Sequence, residues 1–424
     1  MLDGFFLLML VYSLLVFYSS HRVMFSVSLI PQFIVNWLVT ELAVFHAVIN
    51  GLLLVLALLM KDSWSFWAGA GFLLGLINIV VLWRYHQAAL QTTVFERALR
   101  NGLGEHYLDR IVAERKALLS YKAGDDWKRP FSLRRSYVKT LRGITYGPNE
   151  RNTLDIHLPR QASEKPRPVM LQIHGGGWVL GYGERQGLPL RNKLVEAGWI
   201  FVSINYRLSP KHTFPDHLID CKQSLHWIKT HIAEYGGDPH FVLATGGSAG
   251  GHLCSLLALT ANRYKDILQP GFEDADTAVQ GCLPMYGVYD FCSQNPETAR
   301  FGIEGFLEKS KVMPALTPET KPLWEMLSPV MQVTHSCPPF MVINGTTDTL
   351  TFVENARFFV DRLHEKSKAA IVYAEVERAP HGFDIFYSPH CVLAINAMHR
   401  FAEWLYSHYL QDNNAIRRVG ASEV

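Results

Sequence analysis

The sequence predicts an α/β fold with a mostly parallel sheet and helices on both faces, preceded by an apolar helical region. From residue 137 onward, short runs of β-forming residues alternate with longer helical patterns, which is typical of parallel strands joined by crossover helices. The first two of these runs are joined by a turn alone, which favours an antiparallel opening pair. By contrast, the first 85 of the 424 residues contain few charged side chains.

The predicted elements follow one another in chain order. The antiparallel pair covers 137–146 and 152–158, joined by the turn residues 147–150. Further strands are predicted at 168–173, 199–204, 240–245, 279–285, 339–343 and 369–376. Helices are predicted at 184–197, 216–234, 249–262, 352–366 and 391–408. The span 288–332 breaks this alternation and is expected to be an insertion.

One serine stands in a glycine frame at the end of a predicted strand, where residues 246–251 read Gly-Gly-Ser-Ala-Gly-Gly. A serine on a tight strand-to-helix turn is held at strained backbone angles, so its neighbours must be small. Gly246, Ala249 and Gly250 meet that need. The turn would project the hydroxyl of Ser248 beside a helix N-terminus, and we predict it as a nucleophile. The alternative is a glycine-rich turn with an incidental serine.

A second glycine motif, His-Gly-Gly-Gly-Trp, begins at His174 after another predicted strand. Consecutive glycines let backbone N–H groups turn inward, and each such donor stabilises the oxyanion of acyl transfer by about 3–4 kcal/mol. We assign the N–H groups of Gly176, Gly177 and Ala249 to this oxyanion hole. His174 and Gly175 are expected to support the loop. A phosphate-binding loop is disfavoured because no Gly-Lys-Ser/Thr follows.

A serine nucleophile needs a base, and a histidine base needs an orienting carboxylate. Asp348 follows the strand 339–343 and His381 follows the strand 369–376, so both lie past the carboxyl ends of strands. His381 stands between a proline and a glycine, which is typical of a projecting loop. Glu354 is the alternative carboxylate, although it is expected to open the next helix.

These motifs resemble the hormone-sensitive-lipase branch of the α/β-hydrolases over about residues 138–408. The segments 206–210, Tyr-Arg-Leu-Ser-Pro, and 214–216, Phe-Pro-Asp, also fit that family. The resemblance implies a serine carboxylesterase or lipase that needs no cofactor or metal, with a cap at about 288–332 over an acyl pocket. One departure is Gly247, where the family usually has an aspartate. A narrower similarity is to membrane-linked bacterial esterases of the mycobacterial type.

The N-terminal region predicts membrane association. Its apolar runs 4–20, 42–60 and 64–83 are each about long enough to cross a bilayer as a helix. The segment 23–39 is interrupted by Pro31 and is expected to be interfacial or re-entrant. Three spans would place most arginines on one side, which indicates the cytoplasm. We therefore expect a multi-pass protein of a bacterial plasma membrane with a cytoplasmic catalytic domain; a fourth span, a buried helix pair and a signal peptide are the alternatives.

The predicted organisation has four parts. Residues 1–85 form the transmembrane region, 86–137 an amphipathic connector or part of the cap, 138–410 the catalytic domain and 411–424 a polar tail. The 40 basic and 38 acidic residues nearly balance, so nothing indicates nucleic-acid binding. The six cysteines are scattered without C-x-x-C pairs and are expected to be buried thiols rather than disulfides or metal ligands.

The expected partners are a small-molecule acyl ester or lipid substrate and the membrane, and no oligomeric state is predicted. Two other functions stay open. A membrane-associated acyltransferase could use the same triad to pass the acyl group to a lipid or glycan. A non-catalytic sensor could keep the pocket to bind a ligand, although the presence of all three triad residues disfavours it.

Overall fold

The computed structural model describes residues 4–20, 29–60, 65–91, 93–119, 124 and 126–421. The start of the predicted interfacial segment, 23–28, and the last tail residues, 422–424, lie outside these ranges. Among the described residues, eight strands form one sheet. They are β1 (Val138–Thr145), β2 (Thr153–Pro159), β3 (Arg167–Ile173), β4 (Ile200–Ile204), β5 (Gly237–Gly247), β6 (Gly281–Met285), β7 (Phe340–Gly345) and β8 (Ile371–Val376).

The sheet has the strand order β1-β2-β4-β3-β5-β6-β7-β8. The strand β2 runs antiparallel to both of its neighbours, β1 and β4, and every other pairing is parallel. Since parallel strands end at the same edge, the loops after β3, β5, β6, β7 and β8 meet there. The predicted antiparallel pair and mostly parallel sheet are confirmed.

The helices follow the predicted alternation through the catalytic region and continue into the N-terminal region. In chain order they are α1 (Gly4–Ser20), α2 (Leu29–Glu41), α3 (Ala43–Met60), α4 (Phe66–Ala89), α5 (Thr93–Leu103), α6 (Ala113–Lys116), α7 (Leu188–Glu196), α8 (Asp216–His231), α9 (Ala249–Leu259), α10 (Lys265–Leu268), α11 (Glu304–Lys309), α12 (Lys321–Met326), α13 (Pro329–Gln332), α14 (Val353–Lys366) and α15 (Pro389–Ala421). The last of these extends through most of the predicted polar tail.

Two hydrophobic cores lie on the two faces of the sheet, because successive side chains along a strand point to opposite faces. In β3, Val169 and Leu171 belong to one core and Met170 to the other. Helices α8, α9 and α14 cover the first face, and α5, α7 and α15 cover the second. The predicted helices on both faces are therefore confirmed.

The segment predicted as a connector contacts the catalytic domain at several places, and two of these contacts lie near the amino ends of the strands. A Cβ atom on Gly102 in α5 would lie 2.4 Å from the carbonyl oxygen of Ile371 at the start of β8, so the two backbones are in close contact. Arg115 donates two hydrogen bonds, of 2.7 and 2.6 Å, to the buried carboxylate of Glu403 in α15. These two contacts lie at the edge opposite the predicted site, whereas Phe131 packs on Phe386, five residues after His381, with ring centroids 5.2 Å apart. The assignment of 86–137 as a connector or part of the cap stays a prediction.

The N-terminal helices pack closely through small residues. A Cβ atom on Gly71 of α4 would lie 2.8 Å from the Cα atom of Phe6 in α1, and one on Gly75 would lie 2.5 Å from Leu54 in α3. Such small-residue contacts are typical of helices that pack in lipid. Within the described residues, α3 and the stretch that begins with α4 at Phe66 are long and apolar enough to cross a membrane.

Helix α2 occupies the described part of the segment predicted as interfacial. Its 13 residues extend over about 20 Å, which is short of the roughly 30 Å hydrocarbon core of a bilayer. Pro31 lies in the first turn of α2, where backbone N–H groups make no hydrogen bond within the helix. The N–H group that proline lacks is therefore not missed there. The proline therefore leaves the helix intact, and its position agrees with a helix that starts shortly before it.

Candidate active site

Ser248 lies on the sharp turn between β5 and α9. Its φ and ψ angles are 59° and −124°, a region that non-glycine residues rarely adopt. Its backbone N–H donates to the carbonyl oxygen of Met285 at 3.1 Å, which ties the turn to the end of β6. A Cβ atom on Gly250 would lie 2.1 Å from the carbonyl oxygen of Ile173, so only glycine fits there. This is the strained elbow that the glycine frame predicts.

The loop after β3 reaches the same turn. A Cβ atom on Gly175 would lie 3.2 Å from the Cβ atom of Ser248, so the two backbones are nearly in contact. Gly176 and Gly177 have φ angles of 121° and 59°. Within the part of the chain that the structure describes, neither of their N–H groups has a hydrogen-bond partner. Ala249 is the first residue of α9, directly after Ser248.

His174 holds this loop in place through contacts of its ring. Its ring is fully buried and stacks on Tyr206 with centroids 4.3 Å apart, and its Nδ1 lies 2.8 Å from the carbonyl oxygen of Gly175. Burial lowers the pKa of His174 to about 4, so the ring is neutral at physiological pH. Gln186 completes the support, because its Oε1 accepts the Gly175 N–H at 2.7 Å.

Asp348 and His381 are brought together by the loops after β7 and β8. Nδ1 of His381 lies 2.8 Å from Oδ2 of Asp348, which is fully buried. Oδ1 of Asp348 accepts the backbone N–H groups of Leu350 at 2.9 Å and Thr351 at 2.8 Å. The Thr351 hydroxyl lies 2.9 Å from Oδ2 and 2.9 Å from the carbonyl oxygen of Tyr286, so these two acceptors share its single hydrogen. Because Nδ1 faces the carboxylate, Nε2 points away from it.

The ring of Tyr286, the residue after β6, links the histidine to the serine turn. It lies 4.7 Å from the His381 ring, centroid to centroid, and would be 2.6 Å from a Cβ atom on Gly247. Within the described residues, no hydrogen bond joins Ser248 to His381 directly. Glu354, the alternative carboxylate, lies in the first turn of α14 as expected.

The chain matches the BD-FAE family over residues 154–363. It is 41% identical over 349 residues to the probable carboxylic ester hydrolase LipM of Mycobacterium tuberculosis, an alignment that covers 80% of this chain and 78% of LipM. The chain belongs to the hormone-sensitive-lipase-like esterases of the α/β-hydrolases. The resemblance drawn from the motifs is thus confirmed, and the protein is an ester hydrolase.

The chain is also similar to a second mycobacterial esterase and, in its fold, to a solved esterase. Esterase LipQ of the same organism is 39% identical over 289 residues, covering 68% of this chain and 65% of LipQ. A solved esterase B from Lactobacillus rhamnosis superposes with a TM-score of 0.56 over 66% of this chain and 91% of its own. At 21% identity that likeness concerns the fold alone.

The structure explains why this esterase has a glycine at position 247, where the family usually has an aspartate. Tyr286 fills the space that a side chain at position 247 would need. Its hydroxyl donates to Asp384, a buried carboxyl group three residues after His381. Burial raises the pKa of Asp384. The space beside the nucleophile is therefore taken by a tyrosine–aspartate pair.

Sequence analysis did not identify Tyr286, Asp384 or Thr351. The sequence carried a usable signal for two of them, Tyr286 and Thr351. Tyr286 directly follows a predicted strand, as the proposed site residues do. Thr351 lies three residues after Asp348, and an aspartate whose side chain accepts the N–H two or three residues on is typical of turns. Asp384 had no such signal, because its partner lies 98 residues away.

The six cysteines are all unpaired, and all except the half-buried Cys292 are buried. Burial raises the pKa of Cys282 well above its ordinary value. The thiol of Cys282 is therefore protonated at physiological pH and behaves as a small apolar group. This agrees with the expectation of buried thiols.

Proposed function

We propose that this esterase hydrolyses carboxylic esters through a triad of Ser248, His381 and Asp348 and a covalent acyl-enzyme intermediate. The observation that carries the proposal is the 2.8 Å contact between the buried Asp348 carboxylate and Nδ1 of His381. That contact fixes the tautomer in which Nε2 is the free, basic nitrogen. The strained turn at Ser248 supports the role of nucleophile.

The reaction divides into two acyl transfers. In the first, the Ser248 oxygen attacks the ester carbonyl while Nε2 of His381 takes its proton and then gives it to the departing alcohol. In the second, water attacks the acyl-serine, His381 accepts a proton from that water, and the carboxylic acid leaves as the serine regains its hydrogen. Asp348 stabilises the imidazolium that forms in both halves.

The oxyanion hole consists of the N–H groups of Gly176, Gly177 and Ala249. The first two belong to the loop that approaches Ser248, and neither has another partner within the described ranges. Donors held in place before the reaction stabilise the developing charge without reorganisation. Phe306 of α11 lies against Gly177, with a Cβ atom there 3.3 Å from its ring, which supports the insertion 288–332 as a cap.

The test is hydrolysis of p-nitrophenyl butyrate by the purified full chain. We expect Ser248→Ala and His381→Ala each to lower kcat at least about 10⁴-fold, with similar losses because the residues act as a unit. Ser163→Ala, an exposed serine in the loop after β2, is the matched control and should keep wild-type activity. Wild-type hydrolysis by Ser248→Ala would contradict the assignment.

We further infer that the N-terminal helices lie in a membrane. In α3 the buried residues are mostly small or polar, among them Ala47, Asn50 and Ala57. Leucines point outward instead, with Leu52 exposed by 64% and Leu59 by 79%. A soluble helix has the opposite pattern, whereas lipid accepts an apolar exterior around a polar interior.

We propose that this membrane is a bacterial plasma membrane and that the catalytic domain lies on its cytoplasmic side, since three spans would place most arginines on that side. The topology can be tested with inside-out and right-side-out vesicles from cells that express the chain. Protease should digest the catalytic domain in the inside-out vesicles only. Digestion in right-side-out vesicles alone would reverse the orientation, and release of the intact chain by alkaline carbonate would exclude integral insertion.

A further inference from the structure

Helix α2 lies directly against the loops that carry the proposed acid and base. The ring of Phe33 meets the His381 ring edge-on, with centroids 5.7 Å apart and the planes at 79°. Trp37, one helical turn further, packs on Phe386 at 5.2 Å. A Cβ atom on Gly382, the residue after His381, would lie 3.7 Å from the Phe33 ring. The helix therefore forms one wall of the active-site entrance.

The same helix is part of the apolar N-terminal group. The Gln32 side chain donates to the carbonyl oxygen of Tyr18 in α1 at 3.2 Å. Val39 packs in a cluster with residues of α1, α3 and α4. On the face that contacts neither the catalytic domain nor these helices, Ile34 and Leu38 are exposed. One short helix thus joins the proposed membrane helices to the catalytic histidine, and its free face is apolar.

Exposed apolar side chains also border the entrance on the other catalytic loops. Leu180 lies against Gly176, Phe306 against Gly177, and Ile385 against Gly382, as the positions of their Cβ atoms show. Leu350 follows Asp348 by two residues. These four side chains, which we call the apolar rim, are 37% to 62% exposed. Contiguous exposed apolar surface is typical of sites that meet a membrane or a partner.

We propose that the apolar rim and the free face of α2 sit in the surface of the lipid bilayer, and that the site takes esters whose hydrocarbon chain stays dissolved in that bilayer. The bilayer is the occupant indicated because α2 contacts both the proposed spanning helices and His381, and because Phe33 of α2 and Ile385 of the rim lie beside the same residue, Gly382. The chain of the substrate would reach Ser248 past Phe33 without crossing water. This inference rests on the proposed esterase function and specifies its substrate class.

The experiment compares two esters with the full chain in phosphatidylcholine vesicles. One is p-nitrophenyl palmitate dissolved in the vesicles, and the other is water-soluble p-nitrophenyl butyrate. We expect the double variant Leu180→Ser/Ile385→Ser to lower the palmitate-to-butyrate ratio of kcat/KM at least tenfold. Ile267→Ser is the matched control, because Ile267 is equally apolar and exposed but lies on α10, beyond the far end of α9. It should leave the ratio unchanged.

The outcomes separate this inference from the proposed mechanism. If wild type hydrolyses butyrate through Ser248 and the rim variant keeps the wild-type ratio, the bilayer-borne substrate is excluded while the esterase mechanism stands. If Ser248→Ala still hydrolyses butyrate, the mechanism itself fails.

A second measurement is independent of catalysis and locates the rim directly. An environment-sensitive dye on Leu180→Cys, in a Cys292→Ser background, should be quenched by spin-labelled lipid near the headgroups. The same dye on Ile267→Cys should not be quenched. Absence of quenching at position 180 in vesicles that retain the protein would overturn the placement of the rim.

Discussion

At the scale of single residues, the proposed chemistry depends on how the Asp348 carboxylate is held. Both of its oxygens are occupied: one by two backbone N–H groups, the other by His381 and the Thr351 hydroxyl. A carboxylate bound on every side cannot rotate away from the imidazole. Thr351 also lies 3.2 Å from Nδ1 of His381, so it contacts both partners of the pair.

Loss of the Thr351 hydroxyl should weaken the alignment of Asp348 with His381 without affecting substrate binding. We expect Thr351→Val to lower kcat about 10- to 100-fold, the worth of one hydrogen bond to a charged group, and to change KM less than about twofold. Thr351→Ser restores the hydroxyl and should recover most of the rate. Steady-state kinetics on a soluble ester measures both values, and equal loss in the valine and serine variants would contradict a positioning role.

The pairing of a glycine at 247 with Tyr286 should appear as coupling between two substitutions. Gly247→Ala places a methyl group 2.6 Å from the tyrosine ring, so it should lower the free energy of unfolding by about 1–3 kcal/mol. In a background of Tyr286→Ala the same change should cost much less, because the space is then open. Denaturant unfolding of the four proteins measures the coupling, and purely additive effects would refute the steric explanation.

At the scale of elements, α2 unites the N-terminal helices with the catalytic domain. Its last residue, Glu41, is buried, and its Oε1 lies 2.8 Å from Nδ1 of His390 in α15. This contact joins residues 349 positions apart, so no local pattern could reveal it. Helix α2 itself was only partly anticipated: the sequence predicted an interfacial or re-entrant segment there, but gave no sign of its contact with His381.

Removing the hydrogen-bonding group of Glu41 should therefore loosen α2. Glu41→Leu is expected to destabilise the protein by about 1–3 kcal/mol, because the buried ring of His390 loses its hydrogen-bond partner. Glu105→Gln breaks an exposed pair with Arg100 and is the control, with an expected change below about 1 kcal/mol. Thermal unfolding in detergent compares them, and equal stability of the two variants would show that the buried contact contributes little.

At the scale of the whole molecule, much of the catalytic fold could be predicted because its strands are buried apolar runs bounded by turn residues. All eight strands lie where the pattern placed them, within about three residues at each end. The order of the strands and the contacts of α2, Tyr286 and Asp384 could not be derived, because they depend on packing between distant segments. Thr351 was partly accessible, because an aspartate that accepts the N–H groups two and three residues on is typical of turns, but its contact with His381 appears only when two loops meet.

The buried histidines of the catalytic domain make its stability depend on pH. Burial lowers the pKa values of His157, His217 and His252 to about 3, so the folded chain keeps them neutral. Between pH 3 and 6.5 the unfolded chain then binds more protons than the folded one, and stability falls as the pH decreases through this window.

Each of these histidines should lower the free energy of unfolding by about 2 kcal/mol between pH 7 and pH 5. His252→Gln keeps a donor for the Leu327 carbonyl oxygen but cannot titrate, so it should reduce the difference between the two pH values by about that amount. Urea unfolding in detergent at both pH values measures it. An unchanged difference in the variant would show that His252 is not the source.

The most direct measurement of the central claim is covalent labelling of the full chain with a fluorophosphonate, followed by mass spectrometry of its peptides. We expect one adduct per chain, on Ser248, and its loss when the imidazole is removed in His381→Ala. An adduct on a different serine, or no adduct on an enzyme that still hydrolyses esters, would contradict Ser248 as the nucleophile.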